Sequence, residues 1–268
     1  MSAVGDKLEQ LRAEGRPALV GYLPAGFPSV EGSTRAIEAM IDGGVDIVEV
    51  GLPYSDPVMD GPTIQDAAQR ALAGGFRVRD VFGIVGASVA SGAPTVVMTY
   101  WNPVEKFGVD AFAAELAAAG GSGLITPDII PEEAAEWTAA ASKHDLDQIF
   151  LVAPSSTDKR LVMTAEAASG FIYATAVMGV TGQRQHTSSL APVLVARVRK
   201  VTDKPVGVGL GVSNGDQAAE VGEFADAVSV GSALVRCLLD APDEAAGLTA
   251  IKTLAADLRA GVERARKA

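Results

Sequence analysis

The stretch Asp46-Ile47-Val48-Glu49-Val50-Gly51-Leu52-Pro53-Tyr54-Ser55-Asp56-Pro57-Val58-Met59-Asp60-Gly61-Pro62-Thr63-Ile64-Gln65-Asp66 reads as one β/α unit. Asp46 to Gly51 is a short apolar strand, and Pro53 and Pro57 break it. Pro62 then opens a helix, where a fixed φ and a missing N–H do no harm. Along the strand Ile47, Glu49 and Gly51 share one face while Val48 and Val50 take the other. Glu49 therefore points where the apolar Ile47 points. A carboxylate aimed into an interior is costly unless it serves a purpose.

The same unit recurs along the chain. Seven more β-type segments are Ala18–Leu23, Pro94–Tyr100, Gly123–Thr126, Gln148–Ala153, Phe171–Val177, Pro205–Gly211 and Ala227–Gly231. Most are almost continuously apolar, as buried parallel strands are. Helical patterns lie between them: 29–43, 63–74, 109–120, 131–143, 157–169, 189–201, 214–224 and, at the C-terminus, 245–267. Asn214 with Gln217 resembles a capping box, and glycines follow several helices. Val4 to Ala13 adds an N-terminal helix, and Val78 to Ala90 extends the second crossover.

Eight β/α units match a (β/α)8 TIM barrel in number and size, whereas a doubly wound sheet has fewer strands and longer helices between them. The length, 268 residues, suits one barrel or two small domains. No linker divides it, so a single barrel domain over residues 1–268 is expected. Chemistry in such a barrel belongs at the C-terminal ends of the strands.

Composition narrows the partners. Twenty-two basic residues against 33 acidic ones give a formal charge of −11, and the basic residues are scattered, which argues against nucleic acid. The apolar runs are far shorter than the roughly 20 residues of a membrane span, and the N-terminus lacks an apolar signal region. A soluble cytoplasmic protein is expected. Cys237 is the only cysteine, which excludes an internal disulfide, and its apolar setting suits a core helix. His144 and His186, with one cysteine, show no ligand spacing for zinc.

Three glycine-rich turns fall late: Gly179-Val180-Thr181-Gly182, Gly207-Val208-Gly209-Leu210-Gly211 and Gly231-Ser232-Ala233. Taken singly they would only relieve crowding at strand ends. Together, after strands six to eight, they have the form of a barrel phosphate site, with a short helix from Ser232 turning its positive end to the anion. No strand segment carries a basic residue to pair with Glu49, so its pKa should be raised, as suits a general acid/base. Asp60 before Gly-Pro is equally ordinary turn chemistry. Tyr22, Tyr100 and Tyr173 could bring hydroxyls to the barrel mouth, although core packing is the commoner role. Asp128 either caps the following helix or lines the mouth. His186, in a polar run, is given no catalytic role.

With these residues in view, the chain resembles the tryptophan synthase α subunit family over nearly its whole length. The carrying motifs are Glu49-Val50-Gly51-Leu52-Pro53-Tyr54-Ser55-Asp56-Pro57 with Asp60-Gly61-Pro62-Thr63-Ile64-Gln65, then Tyr100-Trp101-Asn102-Pro103, Pro127-Asp128, Gly179-Val180-Thr181-Gly182 and Gly231-Ser232-Ala233. The resemblance implies retro-aldol cleavage of indole-3-glycerol phosphate to indole and glyceraldehyde 3-phosphate, without metal or organic cofactor. By it, Glu49 does the acid/base work, Asp60 accepts the indole N–H, and Tyr173 supports the pair. Gly182, Gly211, Gly231 and Ser232 match the phosphate cradle, while Tyr22 and Leu210 surround the indole. Val177-Met178 and Ile129-Ile130 depart from the commoner family pattern.

The resemblance also implies a partner, a β subunit in an α2β2 complex whose pyridoxal phosphate joins indole to serine. No lysine here is placed as a Schiff base, so that cofactor is expected only in the other chain. Pro53 to Pro57 would supply much of the contact, and Gly179 to Ser189 would close over substrate and bring Thr181 towards Asp60. A stand-alone lyase, a catalytically silent activating module and, on fold grounds alone, a different phosphosugar barrel such as an isomerase are the competing readings.

Overall fold

The computed structural model describes residues 2–175, 190–209 and 211–265. Helix α1 (Ala3–Ala13) precedes strand β1 (Ala18–Pro24), α2 (Val30–Asp42), β2 (Ile47–Gly51), α3 (Pro62–Ala73) and α4 (Asp80–Ala90). Then come β3 (Thr95–Met98), α5 (Trp101–Phe107), α6 (Val109–Ala118), β4 (Gly123–Thr126), α7 (Ala135–Lys143), β5 (Asp147–Val152) and α8 (Asp158–Ala167). The last elements are β6 (Ile172–Thr175), α9 (Leu190–Val198), β7 (Val206–Gly209), α10 (Gly215–Gly222), β8 (Ala227–Val230), α11 (Ser232–Leu239) and α12 (Glu244–Arg264). All eight strands pair in parallel, in chain order, and β8 closes on β1. This is the (β/α)8 barrel that the strand count predicts.

Alternation along each strand sorts side chains into two cores. The outward set, including Leu19, Val48, Val50, Val97, Leu124, Phe150, Val208 and Val228, packs under the helices in one large cluster. The inward set is smaller: Ala18, Val20, Ile47, Val96, Ile125, Ile149, Phe171, Tyr173 and Ala227. Val4, Leu8 and Leu11 of α1 join this inner cluster and stopper the N-terminal end of the barrel. Below them, Asp46 accepts both guanidinium N–H groups of Arg16 at 2.8 and 2.9 Å, the Leu19 N–H at 2.9 Å and Arg259 at 2.9 Å. That buried network ties β1, β2 and α12 at the end of the barrel away from the mouth.

Several helices start as their sequences dictate. Ser29, Thr157, Asn214 and Asp243 each accept a backbone N–H three residues on, and Pro62 occupies the first turn of α3. Three expectations need correction. Gln217 does not complete a capping box on Asn214; its Oε1 accepts the N–H of Ser213 at 2.8 Å. Residues 131–143 are not one helix but a 3-10 turn, Pro131–Glu133, followed by α7. The expected strand 94–100 stops at Met98, and Tyr100 instead begins α5, which the sequence reading did not anticipate. Pro103 is in the first turn of that helix, where its missing N–H leaves no bond unmade.

Candidate active site

Glu49 occupies the inner face of β2, one inward position short of the C-terminal end, and is 1% exposed. Tyr22 stands beside it in register on β1 and Val96 on β3. Burial raises the Glu49 pKa from 4.5 to about 7, and a hydrogen bond from Ser229 works against the rise. Among the described residues no strand carries a lysine or arginine, so no strand cation offsets the burial there. A carboxyl held between its two protonation states near neutrality can both give and take a proton.

Ser229 is the group that the sequence reading missed. It lies on β8 in register with Gly209 of β7 and Val20 of β1, and its hydroxyl donates to Glu49 Oε2 at 3.2 Å. Tyr173 on β6 donates in turn to Ser229 Oγ, also at 3.2 Å. Tyr173 thus reaches Glu49 through Ser229. Counting by twos back from Gly231 would have placed Ser229 on the inner face.

Two glycines give the rings their space. A Cβ on Gly209 would sit 2.6 Å from the Tyr173 hydroxyl, and one on Gly51 would collide with the Tyr22 hydroxyl. Gly207 likewise leaves room for the Phe171 ring. In the run 207–211, Gly207 and Gly209 thus relieve crowding in β7, and Gly211, with φ +71°, has the backbone that favours glycine. Burial first, then the charges of Asp60 and Glu49, push the Tyr22 phenol well above its usual range, so its proton stays on.

Asp60 sits on the loop after β2, partly buried, hydrogen-bonded to the hydroxyl of Tyr100. Burial raises its pKa and the Tyr100 bond opposes the rise. Tyr100 is itself held from two sides: it accepts the Met59 N–H at 3.0 Å, and the Tyr54 ring packs on it at 5.3 Å between centroids. Burial, then the Asp60 charge, pushes the Tyr100 phenol up to about 12. Asp128 does not cap the helix after it. Its two carboxylate oxygens take the Trp101 N–H at 2.9 and 3.1 Å, capping α5 from the neighbouring unit and fixing the Tyr100 turn.

At the other side of the mouth Gly231 is the N-cap of α11, and among the described residues no side chain caps this helix. The N–H groups of its first turn, starting at buried Ser232, carry the positive end of the helix. Thr181, Gly182, Leu210, His186 and the pair Val177-Met178 lie outside the described residues. Among those described, no cluster of three or more His, Cys, Asp or Glu has the form of a metal site, and no helix is long and apolar enough to cross a membrane. Cys237 is half-buried on α11, its Sγ 3.4 Å from the Ala233 carbonyl, and burial raises its pKa, as an unreactive thiol's would be.

A closed parallel barrel whose inner face carries a buried glutamate of raised pKa near the strands' C-terminal ends places this chain among the (β/α)8 barrel enzymes. Comparison with known proteins narrows the class. The family model described as tryptophan synthase alpha chain matches residues 8–263. The chain is 64% identical over 262 residues to the tryptophan synthase alpha chain of Salinispora arenicola, covering 98% of both, and 55% identical over 270 residues to that of Thermobifida fusca, covering 100% of both. A solved tryptophan synthase chain of Mycobacterium tuberculosis superposes with a TM-score of 0.93 at 54% identity, covering 100% of this chain and 99% of that one. The chain belongs to the tryptophan synthase alpha chain family, and its activity is that family's, carbon–carbon lyase cleavage of indole-3-glycerol phosphate.

Proposed function

We propose that Glu49 is the proton-transfer group of this cleavage. The carbon–carbon bond between indole C3 and the glycerol side chain breaks after C3 gains a proton, and the adjacent hydroxyl loses its proton as it becomes the aldehyde of glyceraldehyde 3-phosphate. One proton is delivered and one is taken, so a single carboxyl titrating near neutrality can serve both steps. The observation that carries this reading is the inward, fully buried Glu49 with a pKa of about 7 and, among the described residues, no cation beside it.

Asp60 takes the complementary part. The hydroxyl of Tyr100 favours its charged form against the burial that raises its pKa, and the carboxylate accepts the indole N–H and offsets the positive charge that grows on the ring once C3 is protonated. Tyr22 and Tyr100, with Leu210, flank the indole. Gly182, Gly211, Gly231 and Ser232 receive the phosphate, aided by the uncapped start of α11. Asp128 serves by holding the Tyr100 turn, and Thr181 closes over substrate towards Asp60.

The chain works in a complex with a β subunit, as the family name implies, in an α2β2 assembly in the cytoplasm. Any pyridoxal phosphate belongs to that subunit, a reading supported by strands that, among the described residues, carry no lysine. The loop 53–57, with exposed Ser55 and Asp56 and the exposed Val58 after it, is the part of the mouth turned to the partner. Partner activation requires tighter binding to the closed state than to the open one. The test is indole formation from indole-3-glycerol phosphate with and without saturating β subunit. Faster release in its presence supports the assembly, and equal rates in both arms favour a stand-alone lyase.

A further inference from the structure

The hydroxyl chain across the barrel has a direction. Tyr173 donates to Ser229 and Ser229 donates to Glu49 Oε2, both at 3.2 Å, so two donors in series end on one carboxylate oxygen. Three strands, β6, β8 and β2, bring the three side chains to one interior layer. The spacing is built in: Gly209, in register with Ser229, leaves the volume that the Tyr173 hydroxyl fills. Ser229 is 7% exposed, and a hydroxyl buried at that depth in an apolar barrel is costly unless both its donor and its acceptor capacities are met. Here both are met, by these two partners.

Building on the reading of Glu49 as the acid/base group, we propose that Ser229 is a positioning residue that fixes the Glu49 carboxyl and couples it to Tyr173. The hydroxyl holds one oxygen of Glu49 against β8, which leaves the other free for the reacting centre. Because Ser229 donates, it favours the charged carboxyl and keeps part of the Glu49 population able to take a proton at neutral pH. Polarisation along the series lets Tyr173 strengthen that donation without touching Glu49. Tyr173 alone could not do this, since its hydroxyl is spent on Ser229.

The experiment follows the Glu49 carboxyl by infrared titration of the full chain, each spectrum referenced to Glu49→Gln, beside the pH profile of kcat with saturating β subunit. Ser229→Ala removes a hydrogen bond to a charged group, so the titration midpoint should rise by about one pH unit and the acidic limb of kcat should move with it. Ser229→Thr, which keeps a hydroxyl, should bring both back. Tyr173→Phe should give a smaller rise in the parent and none in the Ser229→Ala background, because its route is already cut. An unshifted midpoint in Ser229→Ala, or a Tyr173→Phe effect of equal size in both backgrounds, would overturn the proposal. The infrared readout needs no turnover, so the two claims separate. If Glu49→Gln stays active the acid/base reading falls, and if it is inactive while Ser229→Ala does not shift the midpoint only this inference falls.

Discussion

Replacing Glu49 by glutamine should make the folded chain more stable at alkaline pH than the parent. Glu49 has an ordinary pKa of 4.5 when unfolded and about 7 when folded. The folded state therefore holds the proton more tightly, and the sign follows from linkage: Glu49 costs nothing below the unfolded value and costs progressively more as pH rises through the folded value. A gap of about 2.5 at 1.36 kcal/mol for each pKa unit amounts to about 3 kcal/mol, fully expressed above about pH 8. Glutamine does not titrate, so the variant escapes that cost. It still accepts from Ser229, although it buries an amide NH2, and this contributes a pH-independent offset. The assay is urea unfolding of parent and variant from about pH 4 to about pH 8, with the difference in unfolding free energy plotted against pH. The difference should swing towards the variant by about 3 kcal/mol across that range. Parallel curves, or a parent that gains on the variant as pH rises, would refute the idea that burial has raised this carboxyl.

Asp60→Asn should cut indole release severely while leaving stability nearly unchanged: an amide can accept the indole N–H but cannot offset a growing positive charge, and steady-state kinetics against a denaturation midpoint shows it. Gly211→Val should weaken binding of glycerol 3-phosphate, read by titration, because the φ of +71° disfavours a branched residue and the side chain enters the cradle. Gly261→Val should destabilise the fold by about 1–3 kcal/mol without changing kcat of the folded fraction, since a Cβ there collides with the Gly215 carbonyl where α12 crosses α10; thermal unfolding measures it.

The barrel was legible because its strands are apolar on both faces and its breaks are prolines and glycines, so count and order follow from pattern alone. Ends were less so. Thr99 and Tyr100 look like strand residues, but Asp128, from the next unit, captures the Trp101 N–H and turns the chain into α5. That bond is non-local, and no window of sequence contains both partners. Glu49 could be read as inward because a single polar residue between Ile47 and Gly51 defines its face by alternation. Ser229 obeys the same alternation yet passed unnoticed, because serine in a strand is common and its meaning here depends on β6 and β2 arriving at the same layer. The glycines of β7 show the converse: their pattern suggests part of an anion cradle, and their close approach to the Phe171 and Tyr173 rings appears only once the barrel has closed.

Indole release from indole-3-glycerol phosphate by Glu49→Gln, with saturating β subunit and with glycerol 3-phosphate affinity measured on the same sample, tests the central assignment most directly. A proton shuttle at Glu49 requires turnover to fall by at least about a hundredfold while that affinity stays at the parent value. Near-parental indole release from a variant that still binds glycerol 3-phosphate would contradict it.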